Sequence, residues 1–216
     1  MTISNPLYAQ NPLLEYSKID KMIEDISLHE RVTLLNEKDP QKLPTFASAL
    51  RRKKVALFWA KVYVGEFFSS TPVDLTNSET TLKSLENSPW VVITMQFLRD
   101  VSNDKILNGF KDALAVNGHH AESDEFKSLF ESLKKTGNLN NKDKLALVFH
   151  KKQNQETLSV EVMRANEKEV DKKFESRVFQ MTPGMSQKMY TIWFGKPVDS
   201  GVEEMQKTIF KGTIKK

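Results

Sequence analysis

The chain has 216 residues, 39% of them hydrophobic and 13 of them Phe, enough to bury one sizeable core, so a main domain over residues 27–216 is expected behind a modest N-terminal extension over residues 1–26. Its 32 basic and 28 acidic residues are interspersed and leave a net charge of only +4, which argues for a salted surface and against nucleic acid as a partner. No apolar run approaches the ~20 residues of a transmembrane helix, and the lack of cysteine excludes disulfides, thiol catalysis and Cys-ligated zinc.

The opening MTISNPLYAQNPLL has neither the basic start nor the apolar core of a secretory signal, so as it stands it implies a cytoplasmic protein. If a signal was removed, with Leu7-Tyr8-Ala9 before Gln10 as the remains of a processing region, the location is periplasmic or secreted. Leu13, Tyr16, Ile19, Ile23 and Ile26 recur at roughly helical spacing and predict a short amphipathic helix over 13–26. Val32–Leu35 and Leu43–Ala47 read as short strands of an antiparallel meander. They lead into LRRKKVALFWAKVYVGEFF, Leu50 to Phe68, where an Arg/Lys cluster runs into a β-type apolar segment and Gly65 permits close backbone approach or a bulge.

The Ser/Thr/Asn-rich stretch from Pro72 to Ser88 reads as a loop, and the apolar run Pro89 to Leu98 as a strand deep in the sheet. Ser102 is placed to cap a helix through Val116 that Gly118 stops, and Ser123 one through Lys135 before Gly137. Lys144–His150 and Thr157–Met163 form a predicted hairpin, with Arg177–Met181 as a further strand. Pro183-Gly184 opens a helix carrying Met185, Met189, Ile192 and Trp193; Gly195 and Pro197 close it, and a last helix begins at Ser200 or Gly201. Strands, two helices, strands and two helices in this order indicate an α+β domain with its helices on one face of a sheet.

The segments LRRKKVALFWAKVYVGEFF, VVITMQFLRDVSNDKILNGFKDALAVNG and YTIWFGKPVDSGVEEMQKTIFKG together resemble the chalcone isomerase-like family in order and spacing, over most of residues 25–212. FLRDVS and IWFGKPVDSG look most like bacterial members. The resemblance implies an open-faced sandwich, a long antiparallel sheet carrying a layer of helices with a ligand cleft between them. Plant enzymes of the family close a ring by conjugate addition of a phenolate, whereas fatty-acid-binding relatives hold an acyl chain and clamp its carboxylate.

On the same resemblance, Arg51 matches the arginine that stabilises an enolate in the enzymes and grips carboxylate in the binders, and Asn117 matches an asparagine lining the enzymes' cleft. Phe110 stands where the enzymes have a tyrosine, and it cannot donate that tyrosine's hydrogen bond. The enzymes' two cleft threonines fall at Val62 or Tyr63 and at Thr191 or Ile192, and the binders pair their arginine with a tyrosine on the strand of Tyr63. The leading expectation is therefore a non-catalytic binder of a small amphipathic anion such as a fatty acid, with Arg51, Tyr63, Phe110, Asn117 and Thr191 at the site. The alternatives are an intramolecular lyase using Arg51 and Asn117, and an interaction domain with a filled cleft.

In physical terms a guanidinium offers a rigid fork to a carboxylate, and a tyrosine hydroxyl adds a neutral donor. A fully extended path would hold Arg51 and Tyr63 ~40 Å apart, so the pairing requires a turn or bulge between them. The bland alternative makes residues 51–54 a solvated hairpin end and Tyr63 a core residue. Trp59, Phe110, Trp193 and Phe194 are candidates to line an apolar cavity. Lys61 and Glu66 have opposite parity on a strand, so one should face solvent and the other pair within. The four histidines lack HExxH spacing, and no Gly-rich phosphate loop, GxSxG elbow or Ser-His-Asp set can be assembled, so neither a metal nor a cofactor is expected.

Overall fold

The computed structural model describes residues 12–35, 37–165 and 174–211; the readings of the N-terminal tail and of the stretch after 211 lie outside them. Eight strands, β1 (Leu14–Ile23), β2 (Ile26–Leu34), β3 (Gln41–Val55), β4 (Phe58–Ser69), β5 (Trp90–Phe97), β6 (Lys144–Lys152), β7 (Gln155–Met163) and β8 (Phe174–Met181), form one antiparallel sheet in chain order. The helices are α1 (Ser78–Glu86), α2 (Asn103–Val116), α3 (Asp124–Lys134), α4 (Met185–Phe194) and α5 (Ser200–Lys211).

Alternation decides the faces of the sheet. Phe67, Ile93, Leu147 and Val160 lie in one cross-strand row and join Phe110, Phe126, Met189, Trp193 and Ile209 of the helices in the main core. One residue along each strand, Phe68, Val92, Ala146 and Val148 point to the opposite face. That face is not left open. β3 pairs with β2 through residues 41–44 and with β4 from Thr45 onward, so the β1–β2 hairpin folds back over it. Leu14, Val32, Leu34 and Leu43 close a second core there.

Three segments differ from their sequence reading. The expected helix over 13–26 is strand β1: shifts at Ser17/Lys18 and Lys18/Met22 rephase a period of two, and the result imitates helical spacing. The Ser/Thr/Asn-rich stretch contains α1, which has few buried residues but a complete capping box between Asn77 and Thr80. Leu50 to Phe68 is a tight hairpin rather than one strand, and its turn, Ala56-Leu57, contains no Gly, Asn, Asp or Pro. Gly65 sits in regular pairing; a Cβ there would press 3.3 Å from Phe67 and 3.4 Å from Tyr63, so its absence lets both rings fold over the strand.

The second core also encloses charge. Glu66, 2% exposed, accepts from the backbone N–H of His29 at 2.8 Å and contacts the His29 Nδ1 at 2.7 Å. Glu161 accepts from the Leu13 N–H at 2.5 Å, and the Lys144 ammonium lies 3.9 Å from the centre of the Tyr16 ring. Of the Lys61 and Glu66 pair, Lys61 is the one in solvent, bonded to Glu24, and Glu66 faces this second core instead of the helix side.

Burial pushes the Glu161 carboxyl up to about 7, against the Leu13 N–H and the Lys144 charge, and pushes Lys144 down to about 8, against Glu66 and Glu161. A carboxyl raised in the folded state contributes stability that is fully present below its unfolded value and lost as pH rises through about 7. Glu161 is therefore expected to lower unfolding free energy by about 3 kcal/mol between pH ~4.5 and ~7. Lys144 contributes stability present above its unfolded value and lost as pH falls through about 8. Urea midpoints across this range should fall less steeply in Glu161→Gln than in wild type; equal slopes would contradict the assignment.

Candidate functional site

The hairpin turn folds β3 onto β4 so that Arg51 and Tyr63 are direct cross-strand partners, with Phe97 of β5 next in the same row. A bulge follows between Arg51 and Arg52. The turn and the bulge together bring the two residues into reach and aim both at the helix layer. Val62, the other candidate of that register, has opposite parity to Tyr63.

Above this row stand the end of α4 and the start of α5. Trp193, fully buried, donates from Nε1 to the Tyr63 hydroxyl at 3.2 Å and packs edge-on against Phe110 with ring centres 5.5 Å apart. The Tyr63 oxygen thus receives one hydrogen bond and retains its own proton to give. Burial raises its pKa, opposed by Arg51 and Trp193, so the hydroxyl stays a donor at neutral pH.

Arg51 is shared between two environments. Its Nη2 donates to Asp199 Oδ2 at 2.7 Å, with the Arg51 side chain 11% exposed, while Nη1 is buried without a hydrogen-bond partner among the described residues. Asp199 works at both ends: its Oδ1 accepts from the N–H groups of Gly201 and Val202 at 2.9 and 3.0 Å and so caps α5. Burial disfavours the charged Asp199, but Arg51 and the two amides outweigh it and hold its carboxyl below the usual range. Gly201 makes the close fit possible, since a Cβ there would lie 1.8 Å from the Arg52 carbonyl and 2.1 Å from Arg51 Nη1.

Asn117 reaches the same region, but its amide is occupied by backbone. Nδ2 donates to Ala113 O at 2.8 Å, Lys196 O at 3.1 Å and Thr191 O at 3.4 Å, and Oδ1 accepts from the Lys196 N–H at 2.7 Å. It clasps the end of α4. Gln206 completes the clasp by donating to the carbonyls of Trp193 at 3.0 Å and Gly195 at 2.7 Å. The Thr191 hydroxyl donates to Lys188 O at 2.6 Å, and Ile192 is buried in the core.

Arg51, Tyr63 and Phe110 are thus brought together around Trp193, whereas Asn117 and Thr191 support the helix that carries it. Phe194 packs against Phe67 and Phe46 at 5.0 and 6.0 Å. Trp59 is not with them; it stands exposed near the hairpin turn. Asp199 was not among the residues singled out from sequence. Its local signal is an Asp one residue ahead of a helix start, a capping pattern that gives no hint of an arginine 148 residues away. A surface depression of 450 Å³ lined by Asp100, Asn140, Asn141 and Lys142 shares no residue with the site.

An eight-stranded antiparallel sheet in chain order, carrying a layer of helices, is an α+β chalcone isomerase fold. A solved structure with this fold is the fatty-acid binding protein of Arabidopsis thaliana, with a TM-score of 0.58 and 10% identity over 92% of this chain and 100% of that one. No family model and no curated protein sequence matches the chain.

Proposed function

We propose that the protein binds a small amphipathic anion, of fatty-acid type, and that Arg51 and Tyr63 receive its carboxylate. The observation that supports this reading is the buried Arg51 Nη1, which has no partner among the described residues, beside a tyrosine hydroxyl with a proton to give. An unpaired guanidinium donor out of water is costly, and a carboxylate is the group whose geometry matches it. The fatty-acid binding protein of the same fold adds weight to an acyl ligand.

In this reading Asp199 is the internal counterion of the closed form. It occupies part of the guanidinium fork, and Trp193, Phe110 and Phe194 fill the apolar space behind it. A ligand enters by displacing these rings and sharing Arg51 with Asp199. A second reading, an interaction domain with a permanently filled cleft, is favoured by the same close packing and by the saturation of Asn117.

Extraction of bound lipid under denaturing conditions from detergent-free protein, followed by mass spectrometry, separates the two. The binder reading expects an acyl ligand on wild type, none on Arg51→Ala, and about tenfold tighter retention on Asp199→Asn, which removes the competing charge and keeps the helix cap. No ligand on any of the three contradicts it and leaves the filled cleft.

A further inference from the structure

The end of the β3–β4 hairpin has a surface that the site below it does not use. Residues 52–59 are exposed without interruption. At the tip Leu57 is 99% exposed, Phe58 61%, Trp59 43% and Val55 42%. Tight hairpin turns in water are built from Asn, Gly and Asp, and here the turn is Ala56-Leu57, with Ala56 held at a φ of +52°. An apolar turn flanked by three further large apolar side chains is unsuited to water and suited to insertion.

Behind the tip stands a collar of cations. Lys54 pairs across the hairpin with Trp59 and Arg52 with Lys61, which fixes these residues on one face; Lys53 pairs with Ala60 on the other. Among the described residues Arg52, Lys53 and Lys54 make no ion pair, whereas Lys61 is joined to Glu24. At the rise of a strand, Lys54 and Lys53 trail Leu57 by about 10 and 13 Å, which sets their charges at the headgroup level when an apolar tip sinks into a membrane interface.

We propose that this hairpin tip docks the protein on an anionic lipid surface, with Leu57, Phe58 and Trp59 entering the interface and Arg52, Lys53 and Lys54 meeting the headgroup phosphates. Charge selects this occupant. A second copy meeting tip to tip would set the same cationic collars against each other, whereas an anionic bilayer supplies both the apolar layer and the opposite charge. The interaction is peripheral, and no described helix is long and apolar enough to cross a membrane. It stands apart from the carboxylate reading, and either can fail without the other.

The test is flotation of the full chain with phosphatidylcholine vesicles, with and without phosphatidylglycerol. Wild type should float with the anionic vesicles only, release at high salt, and show a blue shift of emission that Trp59→Phe abolishes. Leu57→Ser with Phe58→Ser should lower partitioning by about tenfold or more, and Lys53→Ala with Lys54→Ala by about thirtyfold. Val178→Ser, at an exposed apolar side chain on β8, should bind as wild type. Circular dichroism checks that each variant is folded. Equal binding to neutral vesicles, wild-type binding by folded tip variants, or a tip-dependent dimer that ignores vesicles would overturn the proposal.

Discussion

Gly201→Ala is expected to destabilise the protein by about 2–3 kcal/mol, although alanine is ordinarily the better helix residue. The new Cβ would lie 1.8 Å from the carbonyl oxygen of Arg52, which belongs to strand backbone and cannot rotate aside. Helix α5 must lift off β3 and take Asp199 with it, loosening the Arg51 ion pair. Gly109 provides the opposite sign. It lies exposed in α2, a Cβ there meets nothing within 4 Å, and Gly109→Ala should stabilise by about 0.5–1 kcal/mol. Urea unfolding of the two variants reads both effects, and a Gly201→Ala protein as stable as wild type would refute the close contact between α5 and β3.

Glu66→Ala should cost about 3–5 kcal/mol. Pairing between β2 and β3 ends at Arg31 and Pro44, and beyond that point side chains replace the ladder: Glu66 takes the His29 N–H, and the Thr45 hydroxyl donates to the His29 carbonyl at 2.5 Å. Alanine leaves the amide and the imidazole of His29 without their acceptor inside the second core. Hydrogen exchange should show the His29 amide losing protection while the β5–β6 ladder keeps its own. A loss of stability under about 1 kcal/mol would mean that the β1–β2 hairpin is held by its apolar contacts alone.

The parts of this fold that could be read from sequence are those in which burial imposes a clean period. The near-continuous apolar β5 and the three- and four-residue spacing of α2 and α3 are of this kind. β1 departs from its sequence pattern because its bulges rephase the alternation, and α1 because capping, rather than an apolar stripe, marks its start. The turn at Ala56-Leu57 carries no turn chemistry, yet the distance between Arg51 and Tyr63 required a turn or bulge, and the hairpin contains both.

The site divides in the same way. Arg51 and Tyr63 were paired from the resemblance, and the register sets them side by side. The Asn117 amide is spent on the backbone of the α4 end, a set of contacts that only the three-dimensional structure shows. Asp199 depends on a contact across 148 residues that no local pattern encodes.

The carboxylate clamp is tested most directly by calorimetric titration of wild type and Arg51→Ala with palmitate and with hexadecanol, which share a chain and differ in the head. The clamp predicts that wild type prefers palmitate by at least about tenfold and that Arg51→Ala loses the preference while still taking up the alcohol weakly. Equal affinity of wild type for the two, or a palmitate preference that survives in Arg51→Ala, would contradict it.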